Sequence, residues 1–234
     1  MAKTKKELAE EKVGKEWESI NVAVLKSENF LERNLKPISI GLGVIVAIVL
    51  IYFAVKQFYL NPRNEKAQAE LFVGEEYFRA QEDSITLYGD GKGFDGMLSF
   101  VSEYGSTKAG NVAKAYAGIS LARLGKYDEA LKFLKDFSGN DLLVTYAVEG
   151  AIGDCYAGQN KLDDAVSQFE KAAKGANDPL LSPIYYKKAG VIYRQQKNWD
   201  KVIETFTKIK NDYMNSPEAA EADKYIGEAE LLKK

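Results

Sequence analysis

GISLARLGKYDEALKFL, residues 118–134, is the best-formed copy of a pattern that runs through the second half of the chain. Counted from Gly118, a large apolar residue follows at +3 (Leu121) and an aromatic at +9 (Tyr127). A small residue follows at +12 (Ala130) and a large one at +16 (Leu134). The same offsets recur behind Gly153 and Gly190, which lie 35 and 37 residues further along in turn. They hold Tyr156, Leu162, Ala165 and Phe169 in one copy, and Tyr193, Trp199, Val202 and Phe206 in the next. The apolar spacing within each copy is helical, broken once near +7. A period in the thirties built from two helices is the signature of a stacked α-solenoid, in which each repeat buries its apolar face only against its neighbours.

Outward from this core the pattern weakens. Residues 60–109 read as a degenerate first repeat. Gly74 and Tyr77 match the first helix, Phe94 and Met97 match the second, and Asp83–Gly93 is inserted between them as a flexible loop. Residues 110–216 hold the three clear repeats. Ser216 and Pro217 then start a polar final helix, so 217–234 reads as an end cap.

Before the repeats, Pro37–Val55 reads PISIGLGVIVAIVLIYFAV, nineteen uncharged residues bounded by Lys36 and Lys56. At about 1.5 Å per residue, such a helix matches a bilayer's hydrocarbon thickness. Phe58 and Tyr59 extend it with interfacial aromatics, which sets the predicted span at 37–59. The 36 residues ahead of it are far longer than the charged region of a signal peptide, so an uncleaved anchor is expected. Positive charge does not orient it: Lys26, Arg33 and Lys36 on one side balance Lys56, Arg63 and Lys66 on the other. In the 1–36 segment Val13, Trp17, Ile20, Val24 and Leu31 form an apolar helical stripe, and Asn29 with Glu32 resembles a capping box. Within the span, Ser39, Gly43 and Ala47 share one face, where small residues let a second membrane helix approach.

The composition excludes more than it suggests. A net charge of -2 argues against nucleic acid as a partner. With no histidine in the chain, the commonest general base and the commonest metal ligand are both missing. The lone Cys155 suits a small buried apolar position. GKGFDG, Gly91–Gly96, spells a dinucleotide-binding fingerprint, but no buried strand precedes it and no βαβ unit surrounds it. No enzymatic activity, cofactor, metal or small-molecule substrate is expected.

The glycine-centred pattern resembles the tetratricopeptide repeat. There the small residue lets two helices pack closely, the aromatic after the turn fills the gap between them, and the alanine admits the next helix. The chain departs from the family in its turn residue, Gly125 in one copy but Asn160 and Lys197 in the others. Val202 replaces the family's alanine in the last copy, and the closing proline is displaced to Pro179 and Pro217. The fold class expected is therefore all-α, a tetratricopeptide-repeat solenoid preceded by one transmembrane helix. The resemblance places a ligand groove on the first helices, at Val112, Ala115 and Ile119, at Ala147, Ala151 and Asp154, and at Ile184, Lys188 and Val191. The positions are mostly small and apolar, which suits an extended or helical apolar segment as ligand.

The whole layout also resembles the single-span, YfgM-like proteins of the bacterial inner membrane. That likeness implies a cytoplasmic N-terminus and a periplasmic repeat domain. Its implied partners are the protein-export channel (the translocon), a periplasmic chaperone or an unfolded client. The alternative is a purely structural scaffold subunit of an envelope assembly.

Overall fold

The computed structural model describes residues 35–37, 39–139 and 141–233. All regular structure among them is helical. The stripe at Val13–Leu31 and the capping box at Asn29 lie outside the described residues. The chain divides into two compact units, Met1–Pro62 and Arg63–Lys234.

In the first unit, α1 (39–55) is continuously helical and its described residues are exposed throughout. Ile40, Leu42, Ile48, Leu50, Ile51 and Phe53 have no protein core to bury them. This helix is long and apolar enough to cross a membrane. Of the small-residue face, Ser39 satisfies its hydroxyl on the Lys36 carbonyl at 2.9 Å, and Gly43 has open space beside it. A π-helical turn, Lys56–Leu60, follows the apolar run, closed by the Asn61 N–H on the Lys56 carbonyl.

The second unit holds α2 (Asn61–Arg79, from Arg63 on), α3 (Asp83–Tyr88), α4 (Gly96–Tyr104), α5 (Lys108–Arg123), α6 (Tyr127–Asp136), α7 (Leu142–Gly158), α8 (Leu162–Ala176), α9 (Leu181–Gln195), α10 (Trp199–Asp212) and α11 (Pro217–Leu232). From α5 on, each helix packs against its neighbour in sequence. The first helices α5, α7, α9 and α11 also touch one another in turn, whereas the second helices α6, α8 and α10 do not. First helices therefore line the inner side of the stack, and second helices fan out on the other.

The glycine register is what lets the pairs close. A Cβ added at Gly118 would stand 2.6 Å from Leu134 Cγ. One at Gly153 would stand 2.7 Å from the Phe169 ring, and one at Gly190 2.6 Å from the Phe206 ring. In each copy the +16 side chain seats on the glycine of its partner helix, leaving no room for a methyl group. The turn between paired helices is also shared. Gly125, Asn160 and Lys197 at +7 all take positive φ, and the next N–H bonds to the carbonyl of the +3 residue, Leu121, Tyr156 or Tyr193. This is a Schellman closure, and asparagine and lysine tolerate it at some cost where glycine would be easier.

The same closure appears in the degenerate repeat, with Gln81 at positive φ and the Glu82 N–H on the Tyr77 carbonyl. Here the expectation of a flexible inserted loop at Asp83–Gly93 is overturned. Asp83–Tyr88 is helix α3, with Thr86 and Leu87 fully buried. The insertion falls inside the second helix of the repeat, not between the two helices. It breaks that helix into α3 and α4, and Met97 in α4 and Phe94 just before it return to Gly74. Sequence periodicity misses this because an insertion of about one helical segment shifts the register of every residue after it. Nor is the connection loose. The Asp90 carboxylate accepts from the Lys92 N–H (2.7 Å), the Phe94 N–H (3.1 Å) and the Tyr77 hydroxyl (2.8 Å).

Buried side chains form two clusters, one from Ala67 to Cys155 and one from Ala165 to Ala229. Tyr156 packs against both and joins them.

Candidate functional site: the inner groove

Two adjoining hollows open on the first helices. One, of about 450 Å³, is lined by Ile119, Ala122 and Arg123 from α5, Tyr127 from α6, Ala147, Ala151 and Asp154 from α7, and Tyr185 from α9. The second, of about 440 Å³, is shallower and more apolar. Ile184, Val191 and Ile192 form its wall with Phe169 and Ala157, and Lys187, Lys188, Asp154 and Glu218 form its rim. Asp154 belongs to both.

The boundary between them is an ion pair. Lys188 Nζ lies 2.7 Å and 2.8 Å from the two Asp154 carboxylate oxygens, bridging α7 and α9. The same ammonium stands 5.4 Å from the Phe169 ring centre and 5.8 Å from that of Tyr185. Lys187 is likewise engaged, by Glu221 of α11 at 3.0 Å. So Asp154, Lys187 and Lys188 are already engaged within the protein, and the lining between them is mainly apolar. Burial, followed by the Asp154 charge, pushes the Tyr185 hydroxyl up to about 12, so it stays neutral.

Of the nine groove positions read from sequence, seven line these hollows: Ile119, Ala147, Ala151 and Asp154, then Ile184, Lys188 and Val191. Val191 is the most open apolar one, at 40 % exposure, and Ala151 the most covered, at 8 %. Two need correction. Ala115 is 2 % exposed and belongs to the packing between helices. Val112 lies in a different depression, with Lys108, Phe137 and Val144 near the start of α5. The physical reason is rotation. A residue's facing depends on how far each repeat turns relative to the last, and a pattern within one repeat does not encode that angle. Sequence reasoning missed Tyr127, Tyr185, Phe169 and Glu218. Tyr127 and Phe169 were visible only as gap-fillers at +9 and +16, while Glu218 enters because α11 occupies the place of a further first helix.

Cys155, just behind Asp154, is fully buried. Burial, with the Asp154 charge, pushes its thiol up to about 11, so it remains a neutral, poorly nucleophilic group. Among the described residues no cluster of histidine, cysteine, aspartate or glutamate has the makings of a metal site.

No protein-family model matches the chain. No curated protein is significantly similar to it.

Proposed function

We propose that the protein is a membrane-anchored tetratricopeptide-repeat module that holds other proteins at the bacterial inner membrane. In this reading residues 1–36 are cytoplasmic, α1 spans the bilayer and the repeats are periplasmic, as in the YfgM-like layout. The inner groove takes an apolar segment of an exported chain, a periplasmic chaperone or an export-channel component. The observation that carries the reading is the groove itself: two largely apolar hollows on successive first helices, with Asp154, Lys187 and Lys188 engaged inside the protein. Such a surface favours burial of apolar side chains over capture of a charged tail. The glycine register, the shared turn and the touching first helices support the repeat assignment.

The test is charge placed in the groove. Burying an unpaired carboxylate against an apolar ligand costs several kcal/mol, on the order of a hundredfold or more in affinity, whereas in the free protein it stays in water. Ile119→Glu and Val191→Glu in the full chain are expected to keep helical content and melting temperature while losing crosslinks to export components and client chains. Ser167→Glu, on exposed α8 surface, is expected to lose none. Folded groove variants that retain every crosslink would instead favour the scaffold reading.

A further inference from the structure

One polar group in the first hollow is not used by the fold. Among the described residues Tyr185 is the only one from α9 in that lining, which otherwise comes from α5, α6 and α7. Its ring stacks on Phe169, with centroids 6.3 Å apart and planes 11° apart. Its far end crosses α7, where a Cβ added at Gly150 would stand 2.6 Å from the Tyr185 hydroxyl oxygen. Gly150 shares one face of α7 with Ala147, Ala151 and Asp154, which line the hollow, so the hydroxyl end of the ring is the part that arrives there.

Tyr185 is 7 % exposed, yet no described residue accepts a hydrogen bond from its hydroxyl. Burial and the Asp154 charge act on it instead, and both keep its proton in place. It is therefore a nearly buried donor without an acceptor, which folded proteins seldom leave unanswered. The charged groups of the hollow are in use. Both Asp154 carboxylate oxygens accept from Lys188, while Arg123 bonds to Asp83 at 3.3 Å and lies 4.7 Å from the Phe78 ring centre. Tyr127 supplies the other hydroxyl, but its ring is only half-buried where it rests on Gly158.

This setting restricts the acceptor. An anion would be buried beside the Asp154 carboxylate with Lys188 and Arg123 already engaged, so the acceptor is uncharged. It also comes with apolar atoms, because Ile119, Ala122, Ala147 and Ala151 form much of the remaining lining. A peptide carbonyl flanked by apolar side chains meets both conditions. In a helix such carbonyls are already bonded to N–H groups four residues on, except in the last turn. In an extended segment they are free and recur about every 3.3 Å. The donor thus discriminates between two backbone conformations that apolar walls alone accept equally.

We propose that the first hollow takes an extended apolar segment of unfolded polypeptide, with Tyr185 donating to one of its backbone carbonyls. The proposal rests on the groove reading above, and the test separates the two. Binding of short, end-blocked, labelled peptides to the full-length protein in detergent is followed by fluorescence anisotropy. One probe alternates valine and threonine around a central leucine, which favours an extended backbone. The other presents the same apolar side chains on a hydrocarbon-stapled helix. The parent is expected to bind the extended probe about tenfold more tightly than the helical one. Tyr185→Phe removes only the hydroxyl. It is expected to weaken the extended probe about tenfold, as for one buried acceptor left unpaired, while keeping the helical probe's affinity and the parent's melting temperature. Backbone amides of the extended probe are also replaced by esters one at a time, which weakens single carbonyls as acceptors. One position is expected at which the parent loses affinity and Tyr185→Phe loses none further. Ile119→Glu is expected to abolish binding of both probes, as the groove reading alone requires. If Tyr185→Phe matches the parent on the extended probe while Ile119→Glu still abolishes it, the hydroxyl belongs to solvent; the proposal is overturned and the groove stands. Tighter binding of the helical probe overturns it in favour of a helical ligand. Binding of neither probe, or binding that Ile119→Glu leaves intact, overturns it together with the groove reading.

Discussion

Four glycines share one register in this chain, and they do not do the same job. Gly118, Gly153 and Gly190 each hold the +16 side chain of a paired helix, whereas nothing lies within 4 Å of a Cβ built on Gly227, 37 residues beyond Gly190 in α11. The same substitution therefore has opposite signs at equivalent positions. Gly153→Ala forces a methyl into Phe169, which is 2 % exposed and has nowhere to move, and is expected to cost about 1–3 kcal/mol. Gly227→Ala meets open space in a helix interior and is expected to stabilise by about 0.5–1 kcal/mol. Melting temperatures of the two variants in detergent should move in opposite directions; a common direction contradicts the packing assigned here. Gly91, in the connection between α3 and α4, is no neutral comparison despite the open space around it. Its φ of +68° strains any larger residue.

At the scale of elements, the broken helix α3–α4 depends on a single carboxylate. The Lys92 N–H foremost, then the Tyr77 hydroxyl and the Phe94 N–H, hold Asp90 down at about 2. An unfolded aspartate titrates near 4, at about 3.9. A depressed carboxyl stabilises the fold fully above the unfolded value, and that contribution disappears as pH falls toward the folded one. Asp90→Asn removes the ionisation. The stability gap between parent and variant is thus expected to be widest above about pH 4 and to close toward about pH 2. Thermal melts of both proteins across that window check it, and a gap independent of pH would show that the charge is not what holds the connection. Between repeats, the elements are tied by pairs 34 residues apart: Lys188 with Asp154, Lys187 with Glu221 and Arg194 with Glu228. These are partly exposed, so each contributes little to stability while tying one repeat to the next.

At the scale of the whole molecule, the charge flanking α1 is balanced, so labelling is what tests the proposed topology. In the proposed topology a single cysteine at Lys3→Cys, with Cys155→Ala, resists a membrane-impermeant thiol reagent in intact spheroplasts. One at Lys92→Cys, on an exposed loop of the second unit, reacts. The reverse pattern would place the repeats in the cytoplasm and remove the export-related partners with them. Within the second unit the two buried clusters meet at Tyr156 on α7, the same helix whose Asp154 divides the groove. The two hollows therefore open where the two halves of the core join.

The sequence by itself determined the all-helical class, the register shared by Gly118, Gly153 and Gly190, and one helix long and apolar enough to cross a membrane. These follow from local physics: helical periodicity, a tight turn of fixed length and a run of residues too apolar for water. Even the departures at Asn160 and Lys197 keep the turn, because its backbone bonds are made within one repeat. What only the tertiary structure decided depends on contacts between segments whose spacing no repeat pattern records. Asp83–Tyr88 folds as α3 where a loop was expected, and Tyr77 bonds to Asp90 in the ordered link after it. Rotation between successive first helices buried Ala115 while leaving Val191 open, and brought Tyr185 and Glu218 to the groove. That rotation depends on packing between successive helices, with contacts 34 residues apart among them, so it exists only once the repeats have stacked.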